Sequence, residues 1–294
     1  MELGFDGRVF ARYVPDGTPR PYLDRLSTVD GVPLLRELGG APLPDGSDDH
    51  PHHRGVWWGH RAVNGADLWT EFAGHGSIVS LGPVTRHDSP TTVTVAHDAV
   101  WLDSSGAPLL TEHRVVRAHR PGADGTQALD LEGTLEPTLA RFDGLSEPGA
   151  TAGAVTLADT KEAGLVAVRV TPELEERRGG RIQTSEGAVG EARAWGRPAR
   201  WCAYAGRVGA AEVGLAVLDH PSNPGHPVHW HVRDYGLLAA NPFGLSDFPG
   251  GESADGTMIL EPGERVTFRH RLLTFSGPLD SAVIDEHAER YGAS

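Results

Sequence analysis

Cysteine is almost missing from this 294-residue chain: Cys202 stands alone, which excludes an internal disulfide and a cysteine-built zinc site. Lysine is equally scarce, since Lys161 is the one lysine among 26 lysine-plus-arginine residues. A compact ammonium that loses its proton on desolvation differs from a guanidinium, so this position is a candidate for chemistry that arginine cannot perform. Positive charge is short overall, and a formal net charge of −14 leaves no basic face for phosphate-rich partners. Nucleic acid and anionic membranes are therefore excluded as partners. No run approaches ~18 apolar residues, so no membrane-spanning helix is expected. The opening residues lack a basic n-region and an apolar h-region, from which a cytoplasmic location is expected. Gly 38 and Pro 22, about a fifth of the chain, argue against long bundles and coiled coils and for short elements joined by turns.

What is present is period-2 alternation. Leu129, Leu131 and Leu135 point one way while Asp130, Glu132 and Thr134 point the other, the pattern of a strand with one buried face. Residues 266–273 repeat it, and further strands are predicted over 8–14, 21–26, 77–86, 92–102, 111–119, 164–170, 200–206, 212–218 and 229–239. One helix is predicted over about 279–291, with Asp280 or Ser281 as N-cap. The Gly/Pro-rich stretches near 40–49 and 144–153 read as loops. With no strand–helix–strand rhythm and no repeat, residues 1–294 read as a single all-β domain, a large antiparallel β-sandwich with a short C-terminal helix.

Eight of the fifteen histidines fall in two windows, His50, His52, His53 and His60 within residues 48–60, and His220, His226, His229 and His231 within 219–231. Imidazole ligates metals, moves protons near neutral pH and hydrogen-bonds polyols, and each task needs several copies in one pocket. Residues two apart on an extended strand share a face, so His50 with His52, or His229 with His231, form candidate metal-ligand pairs. No HExxH-type motif accompanies them, and loop histidines are often plain surface residues. Lys161 and Glu162 precede the strand predicted over 164–170, with Glu162 a candidate acid/base carboxylate. Trp57, Trp58, Trp69, Trp230, Tyr235 and Phe243 flank the two windows, and indole faces stack on sugar C–H faces. Arg54, Arg169 and Arg233 are candidate clamps for an anionic or keto oxygen. Large aromatics in an all-β chain equally serve as core, and each arginine equally as an ion-pair partner.

Three segments then carry a family resemblance. These are His50-Pro51-His52-His53-Arg54-Gly55-Val56-Trp57-Trp58-Gly59-His60 with Val63-Asn64-Gly65, Asp159-Thr160-Lys161-Glu162-Ala163-Gly164-Leu165, and Asp219-His220-Pro221-Ser222-Asn223-Pro224 running into Trp230-His231-Val232-Arg233-Asp234-Tyr235-Gly236 and Ala240-Asn241-Pro242-Phe243-Gly244. Together they resemble the bacterial PmoA-like family, labelled methane oxygenase PmoA. Ala163 and Gly225 depart from its pattern. The resemblance implies sugar catabolism by association. Leu260-Glu261-Pro262-Gly263-Glu264 and the residues to 275 are similar to the closing strands of galactose-mutarotase-like proteins, which implies a β-supersandwich with a sugar on its concave face.

The expectation is acid/base chemistry on a sugar or oxidised sugar: epimerisation, isomerisation or β-elimination. His53, His60, His220 and His231 would line the pocket, with Glu162 or a histidine as base and Lys161 or Arg233 stabilising an enolate oxygen. Arg54, Trp57, Trp58, Asn64, Asp159, Asn223, Trp230, Tyr235 and Asn241 would bind the small-molecule carbohydrate. A divalent metal ion is the candidate cofactor, and a homo-oligomer is compatible with the composition. The alternatives are a non-catalytic carbohydrate-binding protein and a metal-dependent oxygenase.

Overall fold

The computed structural model describes residues 1–37, 49–137 and 153–294. The loops expected near 40–49 and 144–153 lie almost wholly outside the described residues. Two large antiparallel sheets pack into an all-β sandwich. The first is ordered β1 (Glu2–Phe5), β2 (Arg8–Val14), β3 (Tyr22–Leu26), β4 (Val56–His60), β10 (Ala163–Arg169), β15 (Leu237–Asn241) and β14 (His229–Arg233). The second is ordered β11 (Arg181–Thr184), β12 (Trp201–Val208), β13 (Ala211–Asp219), β17 (Val266–Ser276), β8 (Thr126–Pro137), β7 (Pro108–His119), β6 (Thr92–Leu102) and β5 (Ser77–Asp88). A small pair joins β9 (Val155–Leu157) to β16 (Met258–Leu260).

Alternation builds the eight-stranded sheet as expected. Leu129, Leu131 and Leu135 of β8 are buried, while Asp130 and Glu132 point out and pair across the strands with Arg271 at 2.6 Å and Arg269 at 3.0 Å. A helix, α2 (Ser281–Gly292), lays Ile284 and Tyr291 on that outer face against Trp201, Leu218 and Leu273. Its N-cap is Asp280, whose carboxylate accepts from the Ala282 N–H at 2.9 Å. No described helix is long and apolar enough to cross a membrane.

The seven-stranded sheet differs. Strands β4, β10 and β15 are buried at every position, which erases alternation as a signal. The stretch 229–239, expected as one strand, is two: the chain reverses at Asp234-Tyr235-Gly236, where Gly236 has φ 95°, a left-handed turn that glycine adopts without strain. That reversal carries Tyr235 out of the sheet plane.

Candidate functional site

One face of the seven-stranded sheet meets the other sheet, and the opposite face carries the site. In β4, Val56 and Trp58 join the central core whereas Trp57 joins a separate cluster with Trp69, Ala167, Leu237 and Ala239. Cross-strand register aligns Trp57 with Ala167, Ala167 with Ala239, and Ala239 with His231. Three strand spacings set Trp57 and His231 roughly 14 Å apart at the backbone, with alanines between. The neighbouring row aligns Arg169 with Leu237 and Leu237 with Arg233. Both guanidiniums approach the Tyr235 ring, Arg169 at 4.8 Å and Arg233 at 6.0 Å from its centroid.

The first histidine window covers this face as a stack of rings. His50 lies parallel to Tyr235 at 5.1 Å and to His53 at 4.7 Å, and His53 stacks on Trp57 at 4.9 Å. His52 meets His53 edge-on at 4.5 Å and Phe72 at 5.8 Å. The backbone of His50 is left-handed, with φ 51°, a conformation that costs energy in a non-glycine residue and is concentrated at functional positions. Its Nδ1 sits 3.7 Å from Asp49. Asp49 in turn accepts from Arg169 Nη2 at 2.7 Å, and Arg36 donates to the carbonyls of Asp49, His50 and His53. The window is thus clamped from below by two arginines.

Two tautomers follow from the donors around them. Arg169 Nη1 lies 3.4 Å from Nδ1 of His53, and the Trp195 indole N–H donates to Nδ1 of His231 at 3.0 Å. Guanidinium and indole are donors only, so each neutral ring carries its proton on Nε2. Asp49 accepts only and lies 3.7 Å from His50 Nδ1, too long for a hydrogen bond but on the side of that nitrogen, so its charge favours the tautomer with Nδ1–H toward the carboxylate and a lone pair on Nε2. Burial pushes the rings toward the neutral form. His231 is lowered to about 3, by burial first and then by Arg233, Lys161 and His50. His52 is lowered to about 4 by burial, His50 and Arg20. His53 falls well below the ordinary imidazole value and His50 falls below it, burial leading in both. Burial raises the Tyr235 phenol to about 12.

Lys161 reaches the same neighbourhood from the loop before β10. Asn241 fixes it by donating to the carbonyls of Thr160 at 3.0 Å and Lys161 at 2.8 Å. Its ammonium lies 3.9 Å from Asp247. His229 stacks on Phe248 at 5.8 Å beside His231. The structure therefore groups His50, His52, His53, Trp57, Arg233, Tyr235, His229 and His231 on one face, with Lys161 at its edge.

Other expected site residues are elsewhere. His60, fully buried, points into the core edge-on to Phe243 at 4.7 Å, its Nδ1 accepting from the Ala62 N–H at 3.0 Å. Trp58 also points inward, donating to Glu112 at 2.7 Å, and Trp230 donates to the Ala199 carbonyl at 2.9 Å. His220 packs on Tyr291 of α2 at 4.9 Å, far in the fold from the ring stack. Asn223 ties Asp219 at 2.7 Å to the Arg269 carbonyl at 2.6 Å. Asp219 also holds His226 Nδ1 at 2.7 Å and the Val228 N–H at 2.9 Å. This half of the second window is a polar knot that anchors the chain entering β14. Glu162 forms an ion pair with Arg61 and Arg54 one with Glu71. The Asn64 side-chain Oδ1 accepts from the Thr156 N–H at 2.8 Å, and Asp159 accepts from Ser246 and the Gly256 N–H. These carboxylates and amides are consumed in shaping loops.

The expected metal-ligand pairs do not form a ligand set: among the described residues no three His, Cys, Asp or Glu side chains gather as a cation's ligands would. Trp195, which caps the four-residue α1 (Glu191–Ala194) at its C-terminal end, and Phe72, exposed beside His52, belong to the site without having been expected. Neither lies in a motif.

The profile of a family of unknown function (DUF6807) matches residues 1–289. No curated protein matches the chain. Among solved structures it is similar to a polysaccharide lyase, BACCELL_00875, at 12% identity and a TM-score of 0.33, covering 94% of this chain and 33% of that one. The chain thus spans about a third of that protein's length.

Proposed function

The chain belongs to this family of unknown function, which brings no activity with it, and we propose that the outer face of the seven-stranded sheet is the site of an enzyme transferring protons next to the carbonyl of a sugar. The observation that carries the reading is His50, held left-handed with Asp49 behind its Nδ1 and its ring stacked on Tyr235. His50 Nε2 is the base that removes the proton beside the carbonyl, and the Asp49 carboxylate, 3.7 Å from Nδ1, stabilises the imidazolium that forms. The Nε2–H groups of His53 and His231 donate to the carbonyl oxygen as it gains charge. Neutral imidazole suits that role, because its depressed pKa keeps it a hydrogen-bond donor without a net charge to desolvate. Tyr235, protonated throughout the physiological range, returns a proton to the enolate carbon, and the His50 imidazolium and Tyr235 phenolate left behind are restored by proton exchange with solvent.

The test is exchange of substrate C–H for deuterium across a panel of aldoses, ketoses and their oxidised derivatives. His50→Asn keeps a residue that tolerates the left-handed backbone while removing the imidazole, and a loss of about 10²-fold or more in exchange is expected. Glu162→Gln, which gives up only the ion pair with Arg61, is expected to stay within about twofold of the parent. Exchange that survives His50→Asn contradicts the proposal.

A further inference from the structure

We infer that the ligand of this face is an anionic sugar, its carboxylate or phosphate oxygen read at the Arg233–Tyr235 end; the inference rests on the sugar reading above and adds the charge. The argument is a balance of donors against acceptors. Five buried polar side-chain atoms without a hydrogen-bond partner lie on this face or at its border: Trp57 Nε1, Arg169 Nε, Arg233 Nε, Arg20 Nη1 and Glu175 Oε1. Four of the five are donors. The Nε2–H groups of His53 and His231, fixed by Arg169 and Trp195, add two more.

Most acceptors are engaged in place. Asp49 takes Arg169 at 2.7 Å, Glu175 Oε2 takes Arg177 at 2.8 Å, and Glu191 Oε2 takes the Asp234 N–H while its Oε1 faces Arg233 as an ion pair at 3.1 Å. Glu175 Oε1, 3.6 Å from Arg169, is the one oxygen of these three carboxyls that is buried without a hydrogen bond. A neutral sugar presents hydroxyls that each bring a proton to donate, and a face whose carboxylates are already committed leaves those protons poorly matched. An oxyanion brings acceptors only, which is what a donor-rich face requires. The two guanidiniums reach this end from strands on either side of β15, with Leu237 paired to both. Arg233 is the accessible one, its side chain 35% exposed against 0% for Arg169. A chain with net charge −14 repels anions over most of its surface, so a local surplus of donors is a selective feature.

Titration calorimetry of the whole chain at low and moderate salt, against three matched panels, tests this. The panels are hexuronates (glucuronate, galacturonate, mannuronate), the 6-phosphates of the parent hexoses, and the neutral hexoses. One anionic panel is expected to contain a ligand binding at least about tenfold tighter than its neutral parent, with affinity falling as salt rises, and the panel it belongs to identifies the anion. Arg233→Gln, at a half-exposed position, is expected to remove most of that preference. Equal binding of neutral and anionic sugars, or a preference unchanged in Arg233→Gln, overturns the charge inference and leaves the sugar reading standing. Binding of no panel member overturns both.

Discussion

Replacing Glu112 by glutamine is expected to lower folding stability by roughly 3–5 kcal/mol, read as a drop in the urea midpoint at unchanged slope. Glu112 has no exposed side-chain surface and points from β7 into the space between the sheets. Its two oxygens accept from Trp58 Nε1 at 2.7 Å, Trp101 Nε1 at 2.8 Å, and Arg114 Nε and Nη2 at 2.7 and 2.8 Å. The Arg114 guanidinium also lies over the Trp58 ring at 3.4 Å. Burial alone would favour the neutral acid, yet attraction and hydrogen bonds from Arg114, with those from both indoles, hold the carboxyl below its usual range. A glutamine places an N–H₂ against existing donors and strands the Arg114 charge in the core. Removing both partners, with Glu112→Leu and Arg114→Met, is expected to recover part of the loss, because a buried pair costs more to break than to delete. A Glu112→Gln change within about 1 kcal/mol of the parent contradicts this account of the core.

Acidification produces the second large effect. Between pH 7 and pH 5 the chain is expected to lose about 2 kcal/mol for each of His60 and His231. In the unfolded chain both imidazoles take up protons as pH falls through about 6.5, whereas burial first of all holds them to about 3 in the fold. Across that interval the unfolded state binds more protons, so stability falls as pH falls, and the loss levels off near pH 3. Carboxylates act lower. Asp219 and Asp130 are held below the ordinary range against the opposing effect of burial, Asp219 by His270 and Asn223 and Asp130 by His119 and Arg271. Their contribution is present above about pH 4 and disappears below it. Urea midpoints that are equal at pH 7 and pH 5 contradict the buried, neutral state of these histidines.

The sequence exposes those parts of the fold that have one wet and one dry face. Residues 8–14 and 92–102 are strands with the expected bounds, and in the latter Thr92 and Thr94 alternate with the buried Val93 and Val95. Strand β4 was invisible for the opposite reason: Val56 to His60 are all buried, and two adjacent tryptophans give no parity by which to tell the inward one from the outward one. The same ambiguity put Trp58 and Trp230 in the expected site when they belong to the core, while Trp57 and His231, one position away on the same strands, face the ring stack. Histidine density pointed to the right region but merged two jobs. His229 and His231 face the site, whereas His226 and Asn223 belong to the knot around Asp219 and His220 packs on Tyr291. Arg36 and Trp195 carry no local pattern at all, since what qualifies them is a carbonyl or a ring nitrogen brought close by folding.

The account depends on where three protons reside. A long-range ¹H–¹⁵N spectrum of the imidazoles at pH 7 reads this directly: His53 and His231 are expected as neutral rings protonated at Nε2, and His50 as a neutral ring protonated at Nδ1. Adding a sugar that binds is expected to move those three signals before any others. An Nδ1–H tautomer at His53 or His231, or a proton on His50 Nε2, contradicts the assignment of donors and base on which the proposed chemistry stands.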